Sequence, residues 1–195
     1  YLNLGVSGAT FFGKIHGKLI VAPAASVTPQ GSYVVIGTRE RCLPKRTKNL
    51  RIVTTDEHKL AATATQHLIS CGHFATYGYV HFREGFCQYL SRQREQGFYK
   101  TLRHARLKGI SYRTDIPEEK SDAEALGLWI KSLPKPAAIL AGYDRRAAEV
   151  LDACAKNGIR VPDEVRVMGI DNDDILGVQT RPRLSSVATD NICEG

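Results

Sequence analysis

A cluster of hydrogen-bond acceptors follows the last long apolar segment of the chain. The alternating apolar residues 165–170 end in Asp171, Asn172, Asp173 and Asp174. In an open α/β sheet, ligands bind beyond the carboxyl ends of the strands. Carboxylate and amide oxygens at that edge would accept hydrogen bonds from a ligand with several hydroxyl groups. The sequence therefore predicts a site for a polyhydroxylated molecule, with Asp171 as the main acceptor and Asn172 as the next candidate.

Two further charged residues stand near predicted helix starts. Ser91 is a candidate N-cap for a helix over 92–107, which places Arg94 in the first helical turn. A cation there opposes the helix dipole at a cost of about 0.3–1 kcal/mol, so a compensating role is expected. Its guanidinium can hold two hydroxyl groups or pair with a carboxylate. The alternative is a surface arginine on a helix that begins elsewhere.

Asp144 stands between a continuous apolar segment, 137–141, and an amphipathic helix over 144–157 that ends at Gly158. An aspartate at this place commonly caps the helix. Its carboxylate would also lie where the strand ends, which is where ligands bind in such sheets. Capping and ligand contact are therefore compatible for Asp144.

The elements that must position these side chains alternate between helix and strand from residue 56 onward. The predicted helices are 57–70, 92–107, 121–132 and 144–157. The predicted strands are 76–82, 110–113, 137–141 and 165–170, with 184–188 as a last strand or a crossover. We expect Ser121 to cap the third helix, which would bury Ala125, Leu128 and Trp129. This order predicts an α/β fold with a parallel sheet covered by helices on both faces.

Composition is ordinary for a globular protein, with 43% hydrophobic and 24% charged residues among 195. No apolar run reaches the length of a membrane span and no leader opens the chain, so we expect a cytoplasmic protein. The five cysteines are odd in number and scattered, which indicates free thiols in a reducing compartment. We therefore expect neither a disulfide framework nor a zinc site.

The net charge of +7 has a local source. Six basic residues between Arg39 and Arg51 face only Glu40, so this segment carries +5 and the rest of the chain +2. It reads as an exposed loop, with an interaction patch as the alternative. Nothing nearby shows a helix-turn-helix or a zinc-finger spacing. The chain is therefore compatible with a DNA-binding protein whose DNA-binding part lies elsewhere.

Catalytic and metal sites find little support. Residues 8–15 approach a phosphate-binding loop, but Ile15 stands where a serine or threonine must ligate magnesium. The run 171–174 lacks the alternation and the distal glutamate of a calcium loop. No nucleophile and base can be paired from their spacing. We expect no enzyme activity, no metal and no cofactor.

Several short motifs follow one another between residues 51 and 187. They are Arg51–Asp56, Gln66–His73, Arg94-Glu95-Gln96-Gly97-Phe98, Ala141-Gly142-Tyr143-Asp144, Val161-Pro162 with Gly169–Asp174, and Pro182–Val187. In this order they resemble the effector-binding core of the lactose-repressor (LacI/GalR) family. Tyr143 replaces an asparagine of the family pattern and could stack on the apolar face of a sugar ring. Residues 129–134 and 169–174 look closest to the xylose-operon regulator branch, in which an AraC-type DNA-binding domain follows the core.

The resemblance implies a periplasmic-binding-protein-like type I fold. It implies two subdomains: an incomplete amino-terminal one at 1–55, to which 188–195 return, and a carboxy-terminal effector-binding one at 56–187. A small sugar, such as the pentose xylose, would bind between them and close the cleft. The implied ligand contacts are Arg94, Tyr143, Asp144, Asp171 and Asn172.

The resemblance also implies a homodimer that binds DNA through a separate domain and is controlled by the sugar. A periplasmic sugar-binding protein for transport shares the fold and is the alternative. The lack of a leader and the apparently unpaired cysteines favour the regulator.

Overall fold

The computed structural model describes residues 55–83, 88–116 and 121–189, together with three strands at 18–21, 33–36 and 50–53. The chain divides into two units, Tyr1–Thr55 with Asp190–Gly195, and Asp56–Thr189. In the first unit, β1 (Lys18–Val21), β2 (Tyr33–Ile36) and β3 (Leu50–Val53) form a parallel sheet in that order. That 1–55 and 56–187 are the two subdomains of a sugar-binding core stays a prediction.

Some expectations fall on residues outside this description. The loop 8–15 is one, and the basic segment 39–51 is another apart from the two residues that begin β3. Of the five cysteines, Cys71 and Cys154 lie in the described part, and both are free thiols. No helix in the described residues is both long and apolar enough to cross a lipid bilayer.

The second unit is built on a parallel five-stranded sheet. Its elements are α1 (Glu57–Ser70), β4 (Thr76–Val80), α2 (Gln88–His104), β5 (Gly109–Tyr112), α3 (Ala123–Ser132), β6 (Ala137–Ala141), α4 (Asp144–Lys156), β7 (Val165–Asp171), α5 (Asp174–Gln179) and β8 (Ser185–Ala188). The strand order is β5-β4-β6-β7-β8, and every pairing is parallel. The predicted α/β class is confirmed, and the segment near 184–188 is a strand.

The central strand β6 separates two apolar layers. All five of its residues are buried, and successive side chains point to opposite faces. Leu140 packs with residues of α1 and α2, while Ile139 packs with residues of α3 and α4. Burying side chains of this size stabilises the fold by about 1.5–3 kcal/mol each. The apolar segment therefore reflects a strand covered on both faces, as predicted.

Helix ends with local signals lie where the sequence predicted them. Helix α1 begins after Asp56, whose carboxylate accepts a hydrogen bond from Lys59 N–H at 2.9 Å. Helix α4 ends before Gly158, which has φ +66° and so reverses the chain at little steric cost.

The predicted N-cap at Ser91 is wrong. Helix α2 begins at Gln88, so Ser91 lies inside the helix, and its side chain is buried. The Ser91 hydroxyl accepts a hydrogen bond from Phe82 N–H at 3.1 Å. It serves the backbone beyond β4 and not the start of its own helix.

The predicted buried face of α3 is wrong for Ala125 and Leu128, whereas Trp129 is partly buried against the core as predicted. Leu126, Gly127 and Ile130 are buried, whereas Leu128 is 61% exposed and Ala125 is exposed. A Cβ at Gly127 would lie 2.5 Å from Asn157 Nδ2, so the glycine leaves room for the Asn157 side chain where α3 approaches the end of α4. Ser121 does accept a hydrogen bond from Ala123 N–H at 3.2 Å, although the N-cap position itself is Asp122.

Beside this core lies a buried ionic cluster centred on Arg146, which has no exposed surface. Its guanidinium donates to both carboxylate oxygens of Asp122, at 2.8 and 2.5 Å, and to Glu149 at 2.5 Å. Arg83 also lies against Asp122 and Glu149. Removing one partner of such a cluster leaves a buried charge without compensation.

We expect Arg146→Met to lower the free energy of unfolding by about 3 kcal/mol, because the buried Asp122 would keep the Tyr112 hydroxyl and the more distant Arg83 but lose the guanidinium that contacts both its oxygens. Urea unfolding of the wild type and the variant measures this loss. Arg160→Met is the control, since its 68% exposed side chain pairs at the surface and should contribute no more than about 0.5 kcal/mol. Equal losses in the two variants would contradict the prediction.

Candidate functional site

Three adjacent strands of the sheet end at the same edge, called the carboxyl edge below. Phe82 follows β4, Tyr143 follows β6, and Asn172 follows β7. Because β4, β6 and β7 are parallel neighbours, the residues after them lie side by side. The residues predicted to bind ligand therefore either follow these strands or reach them from a helix.

Arg94 reaches this edge from α2 and is 4% exposed. Its Nε donates to Glu57 Oε2 at 2.5 Å, Nη1 to the Gly142 carbonyl at 2.6 Å, and Nη2 to Asp171 Oδ1 at 3.1 Å. The guanidinium carbon lies 5.5 Å from the centre of the Phe82 ring. Burial lowers the pKa of Arg94, but the carboxylates of Asp171 and Glu57 outweigh it and the pKa is raised. One permanently charged group thus joins four segments of the chain.

Asp171 and Asn172 occupy unusual backbone conformations at the end of β7. Their φ angles are +115° and +53°, a region that residues with a side chain seldom adopt. The next residue, Asp173, caps α5 by accepting hydrogen bonds from Ile175 and Leu176 N–H, both at 2.9 Å. Non-glycine residues in such conformations cost of order 1–3 kcal/mol each and concentrate at functional sites.

The Asp171 carboxylate is partly buried and partly exposed to solvent. Its side chain is 41% exposed, although one oxygen contacts Arg94. Partial burial raises the pKa of Asp171 to about 6, and the neighbouring Arg94 offsets only part of this effect. At neutral pH the group is mostly ionised and accepts hydrogen bonds.

Asp144 is buried, with 2% exposure, and it does not cap its own helix. Its Oδ1 accepts from the Ser186 hydroxyl at 2.6 Å, and its Oδ2 accepts from Asp173 N–H at 2.7 Å. A Cβ at Gly169 would overlap the Asp144 carboxylate, which explains the glycine in β7. Burial raises the pKa of Asp144, and these hydrogen bonds act against the shift. Asp144 fixes the loop after β7, and its direct contact with ligand stays a prediction.

Tyr143 lies against an aromatic neighbour. It is 9% exposed, and its ring centre is 4.7 Å from that of Phe82. A Cβ at Gly142 would come within 2.5 Å of the Phe82 ring, so the glycine makes room for this aromatic pair. The two rings form an apolar wall beside Arg94. A stacking role for Tyr143 toward a sugar stays a prediction.

Three residues of this candidate site were not predicted from the sequence. Glu57 had only the signal of an acidic residue in a first helical turn, which is usually explained by the helix dipole. Phe82 was assigned to the end of a strand, although an aromatic residue directly after a buried strand could have drawn attention. Ser186, whose Oγ also accepts from Asn172 N–H at 3.0 Å, lay inside the quoted motif 182–187 without a role.

In the residues that the structure describes, no group of three or more histidine, cysteine, aspartate or glutamate side chains is arranged to hold a metal ion. What the site offers is carboxylate acceptors, one arginine and an aromatic wall. This combination suits a neutral ligand with several hydroxyl groups and one apolar face.

Comparison with known proteins identifies the family of the chain. Residues 65–191 match the family model of the periplasmic binding protein-like domain. The xylose operon regulatory protein of Escherichia coli (strain K12) is 32% identical over 141 residues, which cover 70% of this chain and 35% of the relative. The chain therefore spans about a third of the length of this curated relative.

Solved structures of LacI-type regulators share the fold. A putative LacI-family transcriptional regulator from Rhizobium etli superposes with a TM-score of 0.71 at 21% identity, covering 92% of this chain and 66% of that chain. The xylose-binding transcription activator xylR superposes with a TM-score of 0.66 at 26% identity, covering 84% of this chain and 43% of that chain. The fold and the resemblance predicted from the sequence motifs are confirmed.

The raised pKa of Asp171 predicts a stability effect in the absence of ligand. A raised carboxyl pKa means that folding disfavours the ionised form, so stability is lost as the pH rises from the ordinary value near 4 through about 6. Asp171→Asn removes this loss. We expect the variant to unfold at an equal or higher temperature than the wild type at about pH 7.5, and this advantage to shrink at about pH 5. A variant that is less stable by the same amount at both pH values would contradict the pKa shift.

Proposed function

Because the chain belongs to the family of periplasmic binding protein-like domains, we propose that residues 56–189 bind a small sugar as the effector of a LacI/GalR-type transcriptional regulator. The observation that supports this most directly is the pair formed by Arg94 and Asp171 at the carboxyl edge, 3.1 Å apart. The carboxylate remains partly exposed, so it can accept hydroxyl groups while Arg94 holds it in place.

The chemistry of the site fits a carbohydrate. A carboxylate accepts hydrogen bonds from two adjacent hydroxyl groups, and such charge-assisted bonds are stronger than neutral ones. Arg94 has five N–H hydrogens, of which the described contacts use one on each nitrogen. Because Arg94 is 4% exposed, its main role toward a ligand is to hold Asp171 in place. Phe82 and Tyr143 are 2% and 9% exposed, so the predicted stacking of Tyr143 on the C–H face of a sugar ring requires this ring to become more exposed when the ligand binds.

A pentose is the sugar that we propose first. The relative from Escherichia coli regulates a xylose operon and the structural neighbour xylR binds xylose, by their names. The predicted contacts for this ligand are Arg94, Tyr143, Asp144, Asp171 and Asn172, with Ser186 and Glu57 supporting them.

The regulatory role is part of the same proposal. The relatives are transcriptional regulators, which favours regulation over transport by a periplasmic protein of the same fold and gives no reason to expect catalysis. We propose a cytoplasmic homodimer that binds DNA through another part of the protein. The sugar can control DNA binding only if it binds one arrangement of the dimer more tightly than the other.

The proposed site predicts the outcome of a thermal-shift panel with D-xylose, D-ribose, D-glucose and D-galactose. A bound sugar at a hundredfold excess over its Kd stabilises the folded chain by about 2.7 kcal/mol, so at least one pentose should raise the unfolding midpoint of the wild type. Asp171→Ala should still unfold cooperatively without sugar but lose this shift, because the main acceptor is gone.

Asp163→Ala is the matched control for this experiment, since Asp163 is a 73% exposed carboxylate on the surface. It should show the same sugar-dependent shift as the wild type. A wild type that responds to none of the sugars, or an Asp171→Ala variant that responds like the wild type, would contradict the proposal.

A further inference from the structure

Glu57 is buried, although nothing about its position at the start of a helix requires this. It is the first residue of α1 and only 3% exposed. An acidic residue favours the helix dipole equally well at the surface, and Asp56 already caps the helix. A carboxylate removed from water is unfavourable unless it is paired. Its partner is Arg94, whose Nε donates to Glu57 Oε2 at 2.5 Å.

Close packing of α1 on α2 makes this pairing possible. A Cβ at Gly97 would overlap the carbonyl oxygen of His58, so only glycine permits the two helices to approach so closely here. Residues three apart share one face of a helix, and Arg94 therefore faces the start of α1 together with Gly97. The spacing Arg-x-x-Gly brings the guanidinium against Glu57.

The two carboxylates that contact Arg94 are not equivalent. Glu57 has a side chain 3% exposed and a 2.5 Å contact, whereas Asp171 has a side chain 41% exposed and a 3.1 Å contact. Solvent and ligand can reach Asp171 but not Glu57. Glu57 is therefore a permanent counter-ion of Arg94, whereas Asp171 is a counter-ion that can be exchanged for a ligand.

Without Glu57, the buried charge of Arg94 would be balanced mainly by Asp171. The attraction between the two would strengthen, and a ligand would have to compete with Arg94 for the carboxylate. With Glu57 in place, Arg94 stays oriented and compensated when the Asp171 oxygens turn to hydroxyl groups.

We infer that Glu57 is a positioning residue of the sugar site, which fixes Arg94 and balances its charge so that Asp171 stays available to the ligand. This inference rests on the proposed sugar-binding function. Glu57 acts through Arg94 and does not itself contact the sugar.

Glu57→Gln separates charge from shape, because the amide oxygen can still accept a hydrogen bond from Arg94 Nε. We expect the variant to fold and to bind the pentose about fivefold to tenfold more weakly near neutral pH, since Arg94 now holds Asp171 more tightly. In the wild type, binding should weaken as the pH falls through the pKa of Asp171, about 6. In the variant this acidic limb should move to lower pH, because the negative charge of Glu57, which helps to raise the pKa of Asp171, has been removed.

Isothermal titration of the 195-residue chain with D-xylose and D-ribose across this pH range measures both effects. Glu149→Gln is the matched control, because Glu149 contacts the buried Arg146 and Arg83 but not Arg94. It removes a carboxylate of similar type and should leave the acidic limb in place. A purely structural role for Glu57 would weaken binding without moving the limb, and this result would overturn the inference.

Glu57→Asp keeps the charge and shortens the side chain by one methylene. It should bind the pentose more weakly than the wild type with an unshifted acidic limb, and it provides the test if Glu57→Gln does not fold. If the wild type binds sugar and the Glu57 variants match its affinity and pH profile, the inference is overturned but the proposed function is not. A wild type that binds no sugar would overturn the proposed function and this inference with it.

Discussion

A single buried cation organises the carboxyl edge of this sheet. Arg94 can remain charged inside the protein only if acceptors surround it, and these come from α1, from the turn after β6 and from the end of β7. Satisfying one guanidinium therefore sets the positions of segments that are far apart in the sequence. The glycines at 97, 142 and 169 follow from the same packing, because each makes room for a neighbour near these contacts.

Elements with local signals were predictable from the sequence. The continuous apolar segment 137–141, the helix 57–70 and the helix end at Gly158 each have their signals within a few residues of the feature that they determine. The start of α2 was not predictable, because the Ser91 hydroxyl bonds to the backbone of Phe82, nine residues away and outside the helix. The buried face of α3 was misjudged for a similar reason, since its packing against Asn157 favours a glycine over a larger apolar residue.

In the candidate site, too, residues with local signals were predictable and residues whose role depends on distant contacts were not. Asp171 and Asn172 were predicted because they follow a predicted strand. Arg94 was predicted from its motif and from a place in the first turn of its helix, and that place was wrong because α2 begins at Gln88. Glu57 was not found, because its pairing with Arg94 joins residues 37 apart in the sequence and depends on how closely two helices pack. The role of Asp144 was only half predicted. Its place at the edge was correct, but its hydrogen bonds hold Ser186 and the backbone of Asp173 and cap no helix.

The turn at Gly142 is restrained from both sides. Its N–H donates to the Val80 carbonyl at 2.9 Å, and its own carbonyl accepts from Arg94. Backbone held in this way has little conformational entropy left to lose when a ligand arrives, so association incurs a smaller ordering penalty. The same rigidity has a stereochemical consequence. For the sugar proposed above, an epimer with one inverted hydroxyl would meet a turn that cannot shift toward it, so any adaptation would have to come from side chains such as Asp171.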